Sequence, residues 1–223
     1  MALTAMPKCS SQPPVIEGRR IGVFGGTFDP IHIGHLVIAE EARVRLALAQ
    51  VLFVPARVSP LKLPGTFFSA EDRLAMVELA IADNPGFAAS RVDLDREGPS
   101  FTVDTLRRLR EACAPQDQLY FIMGADSVSM LHRWRQATEI IRLARIVAVS
   151  RPGFSLDLAA LEPGLPGLAA ATDLITAVHI GVSSTDLRRR LEEGRPIRYQ
   201  VPAAVEAYIH AHHLVKEPGE PAR

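Results

Sequence analysis

Short apolar runs alternate with segments of helical period along most of this 223-residue chain. An apolar run at residues 19–24 stops at Gly25-Gly26, and after Gly34 the apolar residues recur at the three- and four-residue spacing of a buried helix face. Further predicted strands occupy residues 51–54, 87–94, 119–123, 146–149 and 174–182. Further predicted helices occupy residues 70–82, 102–113, 126–143 (with a break near Trp134), 184–193 and 202–213. This alternation predicts an α/β, Rossmann-like parallel sheet flanked by helices on both faces, with a C-terminal helical region.

Three segments lack this pattern. Residues 1–18 contain Pro, Ser and Gln without the apolar stretch of a signal peptide, and we interpret them as a disordered leader. Residues 152–171 are rich in Pro, Gly, Ala and Leu without a clear period, which predicts an irregular insertion. We expect a flexible tail at residues 215–223, so that a single domain spans residues 19–214.

The charge balance narrows the kinds of partner. The chain carries 25 basic and 25 acidic residues, which argues against a protein that holds a long nucleic acid by charge neutralisation. No apolar run approaches the roughly 20 residues that cross a bilayer, so we expect no membrane partner. The two cysteines, Cys9 and Cys113, are too few for a disulfide scaffold and lack metal-ligand spacing. This cysteine usage favours a cytoplasmic protein without a metal site of its own.

The turn between the first strand and the first helix has the features of an anion site. Gly25 and Gly26 let the backbone turn tightly and approach a ligand, and the next helix offers N–H groups and a positive dipole end. His32 and His35 are three residues apart at the helix entrance, so both imidazoles can face one phosphate. Capping or core roles for the two histidines stay open at this point. Zinc is disfavoured because a helical zinc pair usually has His at i and i+4, and the glycine fingerprint of dinucleotide-binding folds is absent.

Residues 25–36, with the sequence GGTFDPIHIGHL, resemble the GGTFDPxHxGH signature of a nucleotidyltransferase superfamily. In that superfamily the HxGH motif binds the phosphates of ATP. The resemblance implies that His32 and His35 are catalytic and contact the triphosphate. It also implies ATP-phosphate binding by the turn residues Gly25, Gly26, Thr27 and Phe28.

A second segment resembles the same superfamily at the start of a later predicted helix. Residues 182–188, VSSTDLR, contain Ser183 and Asp186 at the spacing of a capping box, and alone they favour a capped helix with a solvated arginine face. The segment resembles the ISSTxIR motif, which lies opposite HxGH in the superfamily. The resemblance implies that Arg188 is a catalytic residue that holds the leaving group. The residues that it implies for ATP-phosphate binding are Ser183, Ser184 and Thr185.

From about residue 20 to residue 214, the chain resembles the bacterial nicotinate-nucleotide adenylyltransferases. The matching segments are 100–106, 124–127, Trp134, 139–140, 151–153, 199–202 and 208–209. In that family a tryptophan at the position of Trp134 stacks on the pyridine ring of the substrate. The alternative for Trp134 is a packing role, as an amphipathic side chain that anchors its helical region. The nicotinate-nucleotide-binding residues that the resemblance implies are Lys62, Gly98, Thr102, Asp104, Trp134 and Arg135, with backbone amides near Gly98 and Arg135 meeting the carboxylate. A role at the start of a helix is the alternative for Asp104.

Two further positions follow from the same resemblance. Gly124 and Asp126 are implied to contact a nucleotide ribose, and a helix N-cap role for Asp126 is the competing explanation. Relatives often have a histidine where this chain has Leu61, so the resemblance implies no imidazole contact to the acceptor phosphate from this position, whereas Lys62 retains the cation.

The resemblance implies transfer of AMP from ATP to nicotinate mononucleotide, with Mg2+ arriving with ATP. Nicotinamide mononucleotide is the competing acceptor, while the size and motifs of the chain disfavour phosphopantetheine. An aminoacyl-tRNA synthetase is disfavoured because the chain is short and has no KMSKS-like loop. A noncatalytic nucleotide-binding module is disfavoured by the intact His32, His35 and Arg188. The sequence leaves open whether the chain forms a homo-oligomer.

Overall fold

The structure, a computed structural model, describes residues 18–58, 65–150, 155–178, 180–212 and 214. The predicted leader and tail therefore lie outside the described residues, apart from Gly18. The described elements are, in chain order, β1 (Arg20–Gly26), α1 (Ile33–Arg45), β2 (Gln50–Pro55), α2 (Ala70–Ile81), β3 (Phe87–Ala89), α3 (Thr102–Ala112), β4 (Gln118–Gly124), α4 (Ala125–Ser129), a 3₁₀ turn (Leu131–Arg133), α5 (Ala137–Leu143), β5 (Arg145–Ser150), α6 (Leu158–Leu161), α7 (Leu168–Ala171), β6 (Thr172–Thr176), α8 (Ser184–Glu192) and α9 (Ala203–Ala211).

The described strands pair in parallel in the order β3-β2-β1-β4-β5-β6. The chain adds β2 and β3 on one side of β1 and then crosses back to add β4 on the other side. Ligands of such sheets bind beyond the carboxyl ends of the strands at this reversal of direction. β1 ends at Gly26 and β4 ends at Gly124, so both predicted glycines lie at the reversal.

Neighbouring residues of the strands enter two separate apolar cores. Phe24 and Ile122 pack into the core on the face covered by α1, α2, α8 and α9. Val23 and Phe121 pack into the other core, against α3, α4 and α5. Successive side chains of a strand point to opposite faces, and this sheet buries both faces. The α/β, Rossmann-like fold with a C-terminal helical region is thereby confirmed.

Several predicted boundaries are confirmed by local chemistry. Ser69 caps α2 by accepting a hydrogen bond from the Asp72 N–H at 3.1 Å, and the helical stretch after Gly124 is interrupted around Trp134, between the 3₁₀ turn and α5. Among the described helices, none combines the length and the apolar character that a membrane crossing requires.

Two strands are shorter than predicted. β3 ends at Ala89, because the chain then turns through hydrogen bonds from the N–H groups of Leu94 and Asp95 to the Arg91 carbonyl. β6 covers only Thr172–Thr176, and its last residue pairs with Ser150, the last residue of β5.

The insertion is more regular than predicted. Its described part contains the one-turn helices α6 and α7, and the first residues of β6 follow directly. Leu165 and Leu168 are buried in the core on the α3–α5 face of the sheet. Apolar burial of these two leucines therefore gives order to a segment that has no sequence period.

Candidate active site

The glycine turn after β1 has a tightly folded backbone. Phe28 adopts a φ of 47°, in the left-handed region, and its ring folds back over Gly26. A Cβ on Gly26 would lie 3.0 Å from that ring, so the turn requires a glycine there. The Phe28 ring also contacts the Phe24 and Phe53 rings in the core, which fixes the position of the turn.

The two histidines lie together at the start of α1. His32 is the N-cap residue, and its ring stacks on that of His35 with 3.7 Å between the ring centroids. The backbone N–H of His32 donates to Nδ1 of His35 at 3.2 Å, so Nδ1 is unprotonated and the proton of that imidazole is on Nε2. A Cβ on Gly34 would lie 3.1 Å from the His32 ring, which explains the glycine between the histidines. The Gln200 carbonyl accepts the Ile33 N–H, so not every N–H at this helix end is available to a ligand.

Burial determines the charge of His32. The residue is 7% exposed, and desolvation lowers its pKa from 6.5 to about 4. His32 is therefore neutral near pH 7 and can donate or accept a hydrogen bond without adding a positive charge. The two histidines also form a capping box, in which the His35 backbone N–H faces the His32 side chain and the His32 N–H donates to the His35 ring. The capping role left open for the pair is therefore present, and it is compatible with contact to a ligand at the same helix end.

The second predicted motif contacts the first across more than 150 residues of chain. Ser183 caps α8 by accepting the Asp186 N–H at 3.1 Å, as its capping-box spacing predicts. The Ser184 hydroxyl donates to the Pro30 carbonyl at 3.0 Å. Arg188 donates to the Asp29 carbonyl at 2.8 Å and to the Thr185 hydroxyl at 3.2 Å. The start of α8 is thereby held against the glycine–histidine turn.

Asp29 is a buried residue of the turn to which the sequence analysis assigns no role. Its carboxylate accepts hydrogen bonds from the backbone N–H groups of Phe67 and Phe68, both at 2.9 Å, and lies 3.7 Å from the Arg188 guanidinium. Asp29 therefore connects the turn, the segment before α2 and α8. The position of Asp29 inside the GGTFDP signature is a sequence signal for a role. The partners that define this role are distant in the sequence, so the signal alone does not reveal them.

A cavity of about 510 Å3 opens at the carboxyl ends of β1 and β4. The predicted site residues that line it are Gly25, Gly26, Thr27, Thr102, Gly124, Trp134 and Arg135. The lining does not include His32, His35 or Arg188, and the turn residues Gly25, Gly26 and Thr27 connect it along the chain to the two histidines. Further described site residues outside the lining are Phe28, Ser183, Ser184, Thr185 and Asp126. At this cleft the predicted phosphate-binding residues 25–27 therefore meet the predicted acceptor-binding residues Thr102, Trp134 and Arg135.

The acceptor side of the cleft has fewer fixed contacts. Trp134 packs edge-on against Phe121, with 6.3 Å between the ring centroids. The Arg135 guanidinium lies 4.7 Å from the centre of the Phe101 ring and 4.0 Å from the Asp104 carboxylate, and the Arg135 side chain is 54% exposed. Asp104 is thereby next to the cavity lining without belonging to it.

Two described residues of the predicted acceptor set, Gly98 and Asp104, do not line the cavity. Gly98 is exposed, has a φ of 82° and does not line the cavity among the described residues. Lys62 lies outside the described residues, so its role stays a prediction. The lining includes Asp93 and Ser100, to which the sequence analysis assigns no individual role. Asp93 is 4% exposed and accepts a hydrogen bond from the Thr105 hydroxyl at 2.7 Å.

Asp126 has a different position from an N-cap residue. The N-cap of α4 is Gly124, and Asp126 is the second helical residue, which excludes the capping alternative. Its carboxylate lies close over Gly124, where an added Cβ would be 2.4 Å from one carboxylate oxygen. The Asp126 carboxylate is exposed, and its neighbours Gly124 and Ser127 line the cleft.

The described residues contain no group of three or more His, Cys, Asp or Glu side chains that could hold a metal ion. Apart from the Asp29 carboxylate, which the Phe67 and Phe68 N–H groups and Arg188 already engage, the polar groups at the turn are imidazoles, hydroxyls, backbone N–H groups and one arginine. These groups are donors to anionic oxygens, and their chemistry fits phosphate.

Comparisons with known proteins agree with this geometry. The cytidylyltransferase-like family model matches residues 23–190. A Roseiflexus sp. (strain RS-1) protein named "probable nicotinate-nucleotide adenylyltransferase" is 52% identical over 196 residues, covering 88% of this chain and 98% of the relative. A Thermus thermophilus protein of the same name is 48% identical over 197 residues, covering 88% and 100%.

Solved structures support the fold. A Plasmodium falciparum nicotinic acid mononucleotide adenylyltransferase, solved in complex with NaAD, superposes with a TM-score of 0.71 at 20% identity, covering 88% of this chain and 97% of that one. At this identity the likeness concerns the fold alone, whereas the curated relatives are similar over nearly their whole length. The chain belongs to the nicotinate-nucleotide adenylyltransferase family of cytidylyltransferase-like proteins.

Proposed function

We propose that the protein transfers AMP from ATP to nicotinate mononucleotide, giving deamido-NAD and pyrophosphate. The observation that carries this proposal is the contact between the two phosphate-binding motifs beside the cleft. Ser184 bonds to Pro30 and Arg188 bonds to Asp29, so the start of α8 faces the histidine turn. The names of the curated relatives support nicotinate mononucleotide as the acceptor.

The proposed chemistry needs no protein nucleophile. An oxygen of the acceptor phosphate attacks the α-phosphorus of ATP, the bond from that phosphorus to the bridging oxygen breaks, and pyrophosphate leaves with the electron pair. The acceptor phosphate is already an anion, so no general base has to remove a proton. The protein contributes by aligning the two phosphates and stabilising charge on the α-phosphate and the leaving group.

We assign the ATP side of this reaction to the turn and to α8. His35 would donate its Nε2–H to the triphosphate, and His32 would interact with it as a neutral imidazole. The backbone of residues 25–28 would approach the phosphates where its glycines leave space. Arg188 and the hydroxyls of residues 183–185 would hold the departing pyrophosphate.

The other side of the cleft would hold the acceptor. Trp134 offers an aromatic face to the pyridine ring, and Arg135 places a positive charge at the same wall of the cavity. An anionic nicotinate fits this wall better than a neutral nicotinamide does, since Arg133 also lines it. Contacts by Lys62, Gly98, Thr102 and Asp104 belong to the proposal, as do ribose contacts by Gly124 and Asp126.

We further propose that Mg2+ enters as part of the MgATP substrate, coordinated mainly by phosphate oxygens and water. A single nucleotidyltransferase domain at residues 19–214 would carry the reaction, between a leader and a tail. Two cysteines in the whole chain fit the reducing cytoplasm, where we place the enzyme.

Product analysis tests this function directly. The purified protein is given MgATP with either nicotinate or nicotinamide mononucleotide, and pyrophosphate and the dinucleotide product are both measured. We expect deamido-NAD from the acid, with a kcat/KM at least roughly tenfold above that for the amide. A preference for the amide would overturn the choice of acceptor. No pyrophosphate release with either acceptor would favour a noncatalytic nucleotide-binding module.

A further inference from the structure

Arg73 is a fully buried arginine on α2 that the proposed chemistry does not use. The residue is 0% exposed. Its guanidinium donates to the Thr27 carbonyl at 2.6 Å and to the Arg57 carbonyl at 3.2 Å, while its Nε has no partner among the described residues. Burial lowers the pKa of this guanidinium, and the nearby Asp29 carboxylate opposes that shift.

A guanidinium in this environment is a costly way to stabilise a core. Desolvating the charge is unfavourable, and apolar side chains of similar volume often stabilise a protein as well or better. The described residues give Arg73 no ion pair within 4 Å to offset that cost. The two carbonyl contacts are therefore the main gain from having an arginine at this position.

The two carbonyls belong to the loops that follow β1 and β2, which are neighbours in the sheet. Thr27 lies in the phosphate-binding turn, and Arg57 follows β2, where its N–H donates to the hydroxyl of the cavity residue Ser100 at 3.0 Å. One rigid guanidinium therefore links the phosphate-binding turn to a loop that contacts another wall of the cleft. Its planar fork can bind two acceptors at a fixed separation, which a lysine ammonium does not do.

Holding a carbonyl also orients the next N–H group. The carbonyl and the N–H of a trans peptide point in opposite directions, and the peptide between Thr27 and Phe28 is trans. With the Thr27 carbonyl directed at Arg73, the Phe28 N–H points away from α2, and it has no acceptor among the described residues. The same reasoning directs the Val58 N–H away from Arg73.

We propose that Arg73 is a positioning residue that fixes the Phe28 and Val58 N–H groups as paired donors for the phosphates of the two substrates. The proposal rests on the proposed function, because it assumes that these phosphates react between the two loops. Arg73 touches neither substrate and acts through Thr27 and Arg57. In-line transfer depends strongly on the separation of the reacting groups, so loosening either loop slows it.

The test compares Arg73→Met with Leu74→Ala, a neighbouring change on the same helix that removes buried packing without touching either loop carbonyl. We expect Arg73→Met to raise the KM for both substrates and to lower kcat/KM by roughly a hundredfold. Leu74→Ala should lower the melting temperature while both KM values stay within about twofold of wild type, because a smaller folded fraction reduces active enzyme and not affinity. Wild-type KM values in Arg73→Met would overturn the proposal.

Arg73→Lys keeps the test decisive if the methionine variant does not fold. The ammonium keeps the charge and can donate to a carbonyl, but it lacks the rigid fork that spaces the two loops, so we expect a smaller rise, with at least one KM several-fold above wild type. Unchanged KM values for both substrates in Arg73→Lys would also overturn the proposal. If wild type forms no product, the proposed function fails instead, and calorimetric titration of MgATP into wild type and Arg73→Met then tests the donor role alone.

Discussion

The two sides of the cleft are built differently. On the ATP side, Ser184, Arg188 and Asp29 cross-link the turn to α8, and His32 is buried beneath the stacked ring of His35. On the acceptor side, Arg135 is more than half exposed and contacts Phe101 and Asp104 only at 4 Å or more. The ATP side is therefore organised before substrate binds, whereas the acceptor itself completes much of the other side.

The two sides therefore have different roles: the ATP side fixes the geometry of the transfer reaction, and the acceptor side selects the substrate. Transfer of a phosphoryl-linked group needs donors that are fixed where charge develops, which a cross-linked turn supplies. Recognition of a small acceptor needs a shaped, charged wall, which a few side chains of intermediate exposure supply. Changes on the ATP side should consequently act on turnover or on the affinity for ATP, and changes on the acceptor side should act on the affinity for the acceptor alone.

The largest effect is expected at His35. In His35→Ala the Nε2–H donor to the triphosphate is lost, and we expect kcat to fall between roughly a hundredfold and a thousandfold with the fold intact. Steady-state pyrophosphate release measures this change. His210→Ala, a change of an exposed histidine on α9, is the matched control and should retain wild-type turnover. Near-normal kcat in His35→Ala would refute a catalytic role for that residue.

The free energy of unfolding at acidic pH should reflect the burial of His32. Because its pKa is lowered to about 4 from 6.5, the unfolded chain binds the proton more tightly and stability falls as pH drops from 6.5 to 4. In His32→Asn the free energy of unfolding should fall less over this pH range, by up to about 3 kcal/mol, because asparagine does not titrate there. Urea unfolding of both proteins at several pH values measures the difference. Parallel pH profiles would mean that His32 titrates normally in the folded protein.

Arg188 should show an intermediate effect. Arg188→Met removes the charged donor that is assigned to pyrophosphate, and we expect the KM for ATP to rise by roughly tenfold or more. Its neighbour Arg189 is exposed and pairs with Asp186, so Arg189→Met serves as the matched control. Equal effects of the two substitutions on the KM for ATP would remove the special role of Arg188.

The smallest effect is expected at Trp134. Trp134→Ala removes the aromatic face, and we expect a roughly fivefold to tenfold rise in the KM for nicotinate mononucleotide with the KM for ATP unchanged. Trp134→Phe should recover most of the affinity, because it keeps a ring. If Trp134→Ala changed both KM values equally, the division of the cleft into two sides would be wrong.

Local sequence signals predict much of the fold and of the ATP side. The period change after Gly34 locates α1, and the Ser183 to Asp186 spacing locates the start of α8, because both depend on neighbouring residues. β6 is shorter than predicted, and it ends opposite the last residue of its partner β5. An apolar run alone does not contain that information.

Burial of polar residues is the part that local patterns miss. Burial by the packing around the turn lowers the pKa of His32, and the residues next to it in the sequence do not determine that packing. Arg73 gives one usable signal, since it lies four residues before Val77 on the apolar face of α2. Its partners Thr27 and Arg57 come from distant loops, so its role becomes visible only in the folded chain.

Calorimetric titration of a non-hydrolysable ATP analogue, without acceptor, tests the division of the cleft most directly. With Trp134→Ala we expect a dissociation constant within about twofold of wild type, because the ATP side is organised independently of the acceptor wall. With Arg188→Met we expect binding to weaken roughly tenfold or more. Equal weakening in the two variants would contradict a cleft whose ATP side is formed before the acceptor binds.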